Sequence, residues 1–244
     1  MRFAIISDIH GNLAALQSVV ERIKNENCDK VICLGDLVGY GPHPNECVEI
    51  VREIADIIII GNHDHAAIGL TDTRYFNPHA RAAIAWTSAV LTNKSKDFLA
   101  QLDFVARDDE ALFVHATPCE PEKWDYILNA VDAAINFRCF KEFICFVGHS
   151  HIPVRFARFP DRHVKNIQAN PLNLELENRY IINVGSVGQP RDGDAKAAFT
   201  IYNYHSDART VELVRVPYDI ESTQQAMVEN NLPQFLVERL ECGR

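Results

Sequence analysis

The chain lacks a surplus of positive charge: among 244 residues, 24 Lys and Arg stand against 33 Asp and Glu, for a formal charge of −9. Neutralising a phosphate backbone or an anionic membrane takes clustered cations, so neither nucleic acid nor membrane is an expected partner. Long apolar runs are missing too. Ile57 to Ile60 falls far short of the roughly 20 residues that cross a bilayer. Phe3 to Ile6 is too short for the apolar core of a signal peptide. The seven cysteines (Cys28, Cys33, Cys47, Cys119, Cys139, Cys145 and Cys242) contain no CxxC pair and no zinc-like spacing. Their odd number fits a reduced compartment, and a soluble, cytoplasmic protein is the expectation. Walker and dinucleotide glycine fingerprints are absent, as are repeats, low-complexity linkers and shifts of composition that would divide the chain. One domain over residues 1–244 is therefore expected, large enough to bury roughly 70 to 75% of its unfolded surface without a disulfide or metal staple.

What is present is ordinary in bulk, with 47% hydrophobic and 23% charged residues, and distinctive in order. The first third repeats an apolar run, a polar glycine-containing turn and a segment of helical period. Phe3 to Ile6 leads through Ser7-Asp8-Ile9-His10-Gly11-Asn12 to a helix facing inward with Leu13, Leu16, Val19, Val20 and Ile23. Val31 to Leu34 leads through Gly35-Asp36 to a helix starting near Pro44. Ile57 to Ile60 leads to Gly61-Asn62-His63-Asp64. This series predicts parallel βαβ units, whose ligand sites lie beyond the carboxyl ends of the strands.

Residues 78–102 read as helical, with Ala80, Ala83, Ile84, Val90 and Leu91 as a buried stripe. Strand-like runs return at Ala111 to Val114, Phe143 to Val147, Val154 to Phe159, Arg179 to Val184, Ala198 to Tyr204 and Thr210 to Val216. The later runs crowd together with few helices between them, which predicts an antiparallel part of a second sheet. The segment after Pro217 reads as one or two helices broken near Pro233.

Five motifs each end an apolar run: Asp8-Ile9-His10, Gly35-Asp36, Gly61-Asn62-His63-Asp64, His115, and Gly148-His149-Ser150-His151. A lone histidine after a strand is usually a hydrogen-bonded structural residue. With His63 and Asp64 set aside, the motifs bring two carboxylates, one amide oxygen and four imidazoles to one sheet edge. That mixture suits Mn, Fe, Co, Ni or Zn better than calcium or magnesium, which take mainly oxygen.

In these residues the chain resembles the calcineurin-like metallophosphoesterase superfamily. The stretch Asn183-Val184-Gly185-Ser186-Val187-Gly188-Gln189-Pro190 resembles the closing loop of its bacterial phosphodiesterase-like branch. The resemblance implies an α/β (α+β) fold, a four-layer αββα sandwich of two mixed β-sheets flanked by helices. It implies two divalent metal ions, Mn2+ foremost, one held by Asp8, His10, Asp36 and His151, the other by Asp36, Asn62, His115 and His149. A hydroxide bridging them would attack the phosphorus of a small phosphodiester or phosphomonoester. His63 would serve the leaving oxygen as general acid, with Asp64 orienting its ring. Two dications over two carboxylates leave a positive spot on an acidic protein.

Substrate contacts are expected from Asn12, which otherwise caps the first helix, from Tyr40 and from Arg191. Serine/threonine protein phosphatases and symmetrical diadenosine tetraphosphate hydrolases, which the chain also resembles, carry arginines where Tyr40 and Ile60 stand here. Without those guanidiniums a bidentate phosphate clamp is missing, so these activities form the alternative. A non-catalytic scaffold of the same fold is the further alternative, and the full set of ligand types argues against it.

Overall fold

The computed structural model describes residues 1–108, 110–205 and 208–244. Strand and helix alternate at the start as the apolar runs dictate: β1 (Arg2–Ile6), α1 (Leu13–Lys24), β2 (Lys30–Cys33), α2 (Pro44–Ile54), β3 (Ile57–Ile58) and α3 (Asn62–Ala67). Helices α4 (Pro78–Val90) and α5 (Asn93–Leu99) follow, then β4 (Val105–Asp108), β5 (Ala111–Val114), α6 (Ala130–Asn136) and β6 (Ile144–Val147). Next come β7 (Arg155–Arg158), β8 (Val164–Asn166), β9 (Leu172–Asn173) and β10 (Arg179–Asn183). The remaining elements are β11 (Ala197–Tyr204), β12 (Arg209–Val216), α7 (Ile220–Glu229) and α8 (Gln234–Cys242).

Among the described residues the strands form two mixed six-stranded sheets, ordered β3-β2-β1-β11-β12-β9 and β4-β5-β6-β10-β7-β8. The period-two alternation of the strands sorts their side chains into layers. Phe3 and Ile5 of β1 join Phe113, Phe146 and Tyr202 between the sheets. Ala4 and Ile6 point the other way, onto Leu16, Val19 and Ile23 of α1 and Val48 and Val51 of α2. On the far side Leu112, Val114, Cys145 and Val147 pack against Ala133 of α6 and Phe137. Helix, sheet, sheet and helix are thus stacked in the expected order.

The strand triplets β1, β2, β3 and β5, β6, β10 are each internally parallel. The loops after their carboxyl ends meet along one rim. Asp8 N donates to Gly35 O at 3.0 Å, Gly148 N to His115 O at 2.8 Å, and Gly188 N to Asp8 O at 2.9 Å. The Gly185 to Pro190 loop therefore does return to the rim.

Several expectations need correction. The crowded late strands do not all lie in the second sheet: β11 runs antiparallel to β1 inside the first, because its apolar faces fit both the inter-sheet core and α1. The predicted helix over 78–102 is broken at Thr92, whose hydroxyl caps α5 by accepting from Ser95 N, and Val90 is exposed. Strands β4, β8 and β9 carry too few apolar residues to read as elements, and helix α6, although mostly apolar, spans only seven residues, too few for a helical period to show. Cys119 and Cys139 form a disulfide with Cα atoms 5.3 Å apart, so not every thiol is reduced; the loop after β5 brings the two together despite a separation of 20 residues. No described helix is long and apolar enough to cross a membrane.

Candidate metal centre

The rim gathers its polar side chains on backbone that ordinary strands avoid. Asp8 (φ 54°), His10 (53°), Asp36 (53°), Tyr40 (56°), His149 (64°) and His151 (60°) all occupy the left-handed region, costly for residues with a Cβ. Cross-loop hydrogen bonds fix them there: Ile9 N and His10 N both donate to Asp36 O, at 2.8 and 2.9 Å. Glycine supplies the clearance. At Gly61 a Cβ would collide with Asp36 Oδ1, and at Gly39 (φ 92°) it would lie 2.5 Å from His63 Nδ1.

Two groups of ligand atoms result, Asp8, His10, Asp36 and His151, and Asp36, His115 and His149, all buried and sharing Asp36. His10 Nδ1 donates to Val38 O (3.1 Å) and His151 Nδ1 to Gln189 O (2.6 Å). These carbonyls can only accept, so both Nε2 atoms are left as bare lone pairs, and they face each other at 3.0 Å. His151 Nε2 lies 3.3 Å from Asp8 Oδ1 and His10 Nε2 3.5 Å from Asp36 Oδ2. In the second group His115 Nδ1 donates to Leu34 O at 2.7 Å, and its Nε2 sits 3.3 Å from Asp36 Oδ2 and 3.2 Å from the amide oxygen of Asn62. His149 is turned the other way. Its Nε2 donates to Trp124 O at 2.9 Å, leaving Nδ1 free.

Acceptors crowded this closely repel unless positive charge lies between them. Asp36 Oδ2, the atom where the two groups meet, is buried and meets no hydrogen-bond geometry among the described residues, its approach to His115 Nε2 at 3.3 Å being an ionic one. An orphaned carboxylate oxygen among lone pairs from nitrogen and oxygen fits divalent cations, and nothing in the donor set conflicts with them. The ionisation of the cluster agrees. Burial opposes the His115 imidazolium, but the Asp36 and Asp8 carboxylates outweigh it and lift the ring to about 9. Burial likewise pushes the Asp36 carboxyl up, yet the neighbouring His115 and His63 rings hold it well below the usual carboxylate range. Burial, with the His115 charge beside it, drops His149 to about 3. A proton on His115 thus stands in for the missing positive charge.

The comparisons with known proteins agree with this geometry. A model of the calcineurin-like phosphoesterase superfamily domain matches residues 1–207. A metallophosphoesterase structure from Sphaerobacter thermophilus is 43% identical, with a TM-score of 0.86 over 100% of this chain and 99% of that one. An uncharacterised protein of Methanocaldococcus jannaschii is 41% identical over 99% of this chain and 98% of its own length. A symmetrical bis(5′-nucleosyl)-tetraphosphatase of Psychromonas ingrahamii is 38% identical over 25% of this chain and 23% of its own. The chain belongs to the calcineurin-like phosphoesterase superfamily. It is a phosphoric ester hydrolase.

Around the centre of this phosphoesterase, His63 is buried against Tyr40 (ring centroids 4.3 Å apart) and His10 (4.7 Å). Its backbone N–H donates to Asp36 Oδ1 at 2.8 Å, while its own Nδ1 is buried without a hydrogen-bond partner among the described residues. Burial lowers the ring to about 4 against the pull of Asp36, so it is neutral at pH 7. Asp64 does not orient it. Both Asp64 oxygens are taken by backbone donors, Val38 N (3.0 Å) and Gly61 N (3.1 Å), because the residue closes the first turn of α3.

Asn12 also departs from its expected substrate role. Its oxygen accepts from Ala15 N and Thr223 Oγ1, both at 3.1 Å, and its amide donates to Gly188 O at 2.8 Å. It caps α1 and ties α7 to the rim. Arg191, in contrast, is not paired with its acidic neighbours: Asp192 and Asp194 pair with Arg215. The Arg191 guanidinium lies 5.6 Å over the Tyr40 ring, its Nη2 donates to Gln189 Oε1 at 2.9 Å, and its Nε is buried without a hydrogen-bond partner among the described residues.

Beside the centre opens a cavity of about 480 Å³ lined by Tyr40, Asn62, His63, His149 and several further aromatic rings. Of these, Phe76, Trp124 and Tyr126 belong to no motif. Only the tertiary fold brings their loops to the rim, so no pattern in the sequence could have named them.

Proposed function

We propose that this phosphoesterase hydrolyses phosphodiesters or small phosphomonoesters with two divalent cations, Mn2+ foremost, at the centre described. Asp8, His10, Asp36 and His151 hold one, and Asp36, Asn62, His115 and His149 the other. The observation that carries the reading is the buried Asp36 Oδ2, without a hydrogen bond among the described residues, at the vertex shared by both groups. When bound, the two cations supply charge for the phosphoryl oxygens and acidity for an attacking water. The protein does the rest by position. Backbone carbonyls of Val38, Leu34 and Gln189 hold three imidazoles with their lone pairs turned inward. His63, neutral and buried, donates a hydrogen bond to the leaving oxygen instead of delivering a stored proton. Arg191, free of any acidic partner among the described residues, neutralises a non-bridging oxygen beside Tyr40.

The quarter-length likeness to a symmetrical bis(5′-nucleosyl)-tetraphosphatase supports a second reading, hydrolysis of a dinucleoside polyphosphate. Against it stand Tyr40 and Ile60, where such enzymes would carry arginines. The test is to assay bis(4-nitrophenyl) phosphate, 4-nitrophenyl phosphate, cyclic nucleotides and diadenosine tetraphosphate with manganese. Faster turnover of the diester supports the proposal, preference for the tetraphosphate supports the second reading, and no turnover of any ester leaves the non-catalytic scaffold.

A further inference from the structure

We infer that the 480 Å³ cavity is a nucleoside pocket: the ester processed here carries a neutral, planar base stacked among Trp124, Tyr126, Phe76 and Tyr75. The inference rests on the phosphoesterase reading above and names its substrate class. The cavity lies within the range of about 300 to 1000 Å³ typical of small-molecule sites. It shares Asn62, His63 and His149 with the candidate metal centre, so whatever is esterified to a phosphate held there enters it directly.

Two features select what enters. The first is ring surface left to water. Tyr75 is 89% exposed and makes no ring contact among the described residues, and Tyr126 is 49% exposed on one side while the other stacks on His149 at 4.2 Å. Clustered exposed aromatics around a cleft mark a binding site for a flat apolar face. The second is charge. The ionic groups at the rim are already paired, Lys123 with Glu120 at 2.6 Å and Asp72 with Arg74 at 2.6 Å. The cavity therefore presents neutral faces, which suit a base and not a polyphosphate tail.

The pocket is also rigid where it touches the centre. The Trp124 indole is wedged against Phe104 (5.4 Å) and His65 (5.9 Å), and the Trp124 carbonyl is the group that accepts from His149 Nε2. The Cys119–Cys139 disulfide tethers the same loop next to α6. A wall that also anchors a metal-ligating histidine holds its ring in register with the phosphate, so little ordering is needed on binding. The acidic chain offers no surplus of cations for a long nucleic acid, which favours a small nucleoside ester as the substrate.

The experiment uses adenosine and ribose as probes. Trp86→Phe makes Trp124 the sole tryptophan of the chain, and Trp86 lines neither the cavity nor either ligand group, although it packs on the apolar cluster that holds Tyr40. Adenosine is expected to quench its fluorescence saturably, and ribose to leave it unchanged. Tyr126→Leu should weaken adenosine about tenfold, the scale of one lost base-ring stack. Tyr75→Leu, which disturbs no other ring, should shift it in the same direction. Adenosine should also inhibit hydrolysis of bis(4-nitrophenyl) phosphate competitively in the unaltered protein. Turnover of that ester with no response to adenosine overturns the pocket and spares the phosphoesterase reading. Saturable adenosine binding with no turnover of any ester overturns the phosphoesterase reading and leaves a nucleoside site.

Discussion

The first sheet is built by opposite rules at its two flanks. Strands β11 and β12 pair in unbroken antiparallel register from Ala197↔Val216 to Tyr204↔Arg209, with hydrogen bonds satisfied by the ladder itself. At the ends of β1 and β2 the chain instead turns through Asp8, His10 and Asp36 in the left-handed region and leaves an oxygen of Asp36 without a hydrogen bond among the described residues. Each left-handed residue costs on the order of 1 kcal/mol or more, and the orphaned acceptor adds to it. The low-energy ladder lies on one flank and the local excess on the other, two parts of one sheet. The excess sits where a bound cation would relieve it.

The largest effect that should follow from this contrast is at Asp36. Asp36→Asn keeps the shape but removes a charge from both groups at once. Activity should fall by more than about 10²-fold, since losing an outer partner of a metal ligand alone costs about 10 to 100-fold. Elemental analysis of protein purified without chelator should show metal lost from both positions. Retention of two metals in the variant would mean that the strain serves some other purpose.

His63→Ala sharpens the comparison by separating metal from chemistry. Its ring touches Tyr40 and His10 but is not in either ligand group, so metal content should be unchanged while kcat drops about 10²-fold. Equal loss of metal in His63→Ala and Asp36→Asn would contradict that division.

The proton on His115 gives a pH test. Its folded value is raised from 6.5 to about 9, so at pH 7 a cation must displace that proton to reach Nε2. Affinity for manganese should rise up to tenfold per pH unit between about 7 and 9 and then level off. The sign for stability is the same proton seen from the other side. In metal-free protein its stabilising share is full below about 6.5 and lost as pH climbs through about 9. Titration calorimetry at several pH values checks the slope, and an affinity independent of pH would contradict the protonated state.

These tests bear on residues of which some were legible in the sequence and some were not. Asp8, His10, Asp36, His115, His149 and His151 stand within four residues after apolar runs, and parallel strands put such positions on one rim whatever the loops do. The ends of β1, α2 and α8 followed from local signals, above all Pro44 inside the first turn of one helix and Pro233 before the other. The placement of β11 beside β1 was not local. It is decided by which sheet can cover both faces of Phe199 and Tyr202, residues that carry the same alternation in either place. Asp64 was misjudged for a related reason. Next to a histidine in sequence, its side chain instead meets the Gly61 amide at the start of α3 and the Val38 amide of the loop after β2, contacts set by helix geometry and loop packing and not by adjacency. Asp64→Ala should accordingly cost about 1 to 3 kcal/mol of stability, read by denaturant unfolding, through two buried amides left unmet. A loss confined to kcat would restore it as a partner of the His63 ring.

The smallest effect belongs on the regular flank. Asn203 sits opposite Thr210 in the β11–β12 ladder, donating from Nδ2 to Thr210 Oγ1 at 2.9 Å and accepting from Arg2 Nη1 at 2.7 Å. It is half-buried, so its released partners can turn to water, and cross-strand pairs of this kind contribute about 0.2 to 1 kcal/mol. Asn203→Ala should lower stability by no more than about 1 kcal/mol and leave metal content and kcat/KM as they were. The backbone ladder carries the flank, and a side chain can be removed without moving the rim. If this distant change did lower metal affinity, the strained loops would depend on the exact set of the ladder beside β1. The two flanks would then form one coupled element, and the contrast between them would be false.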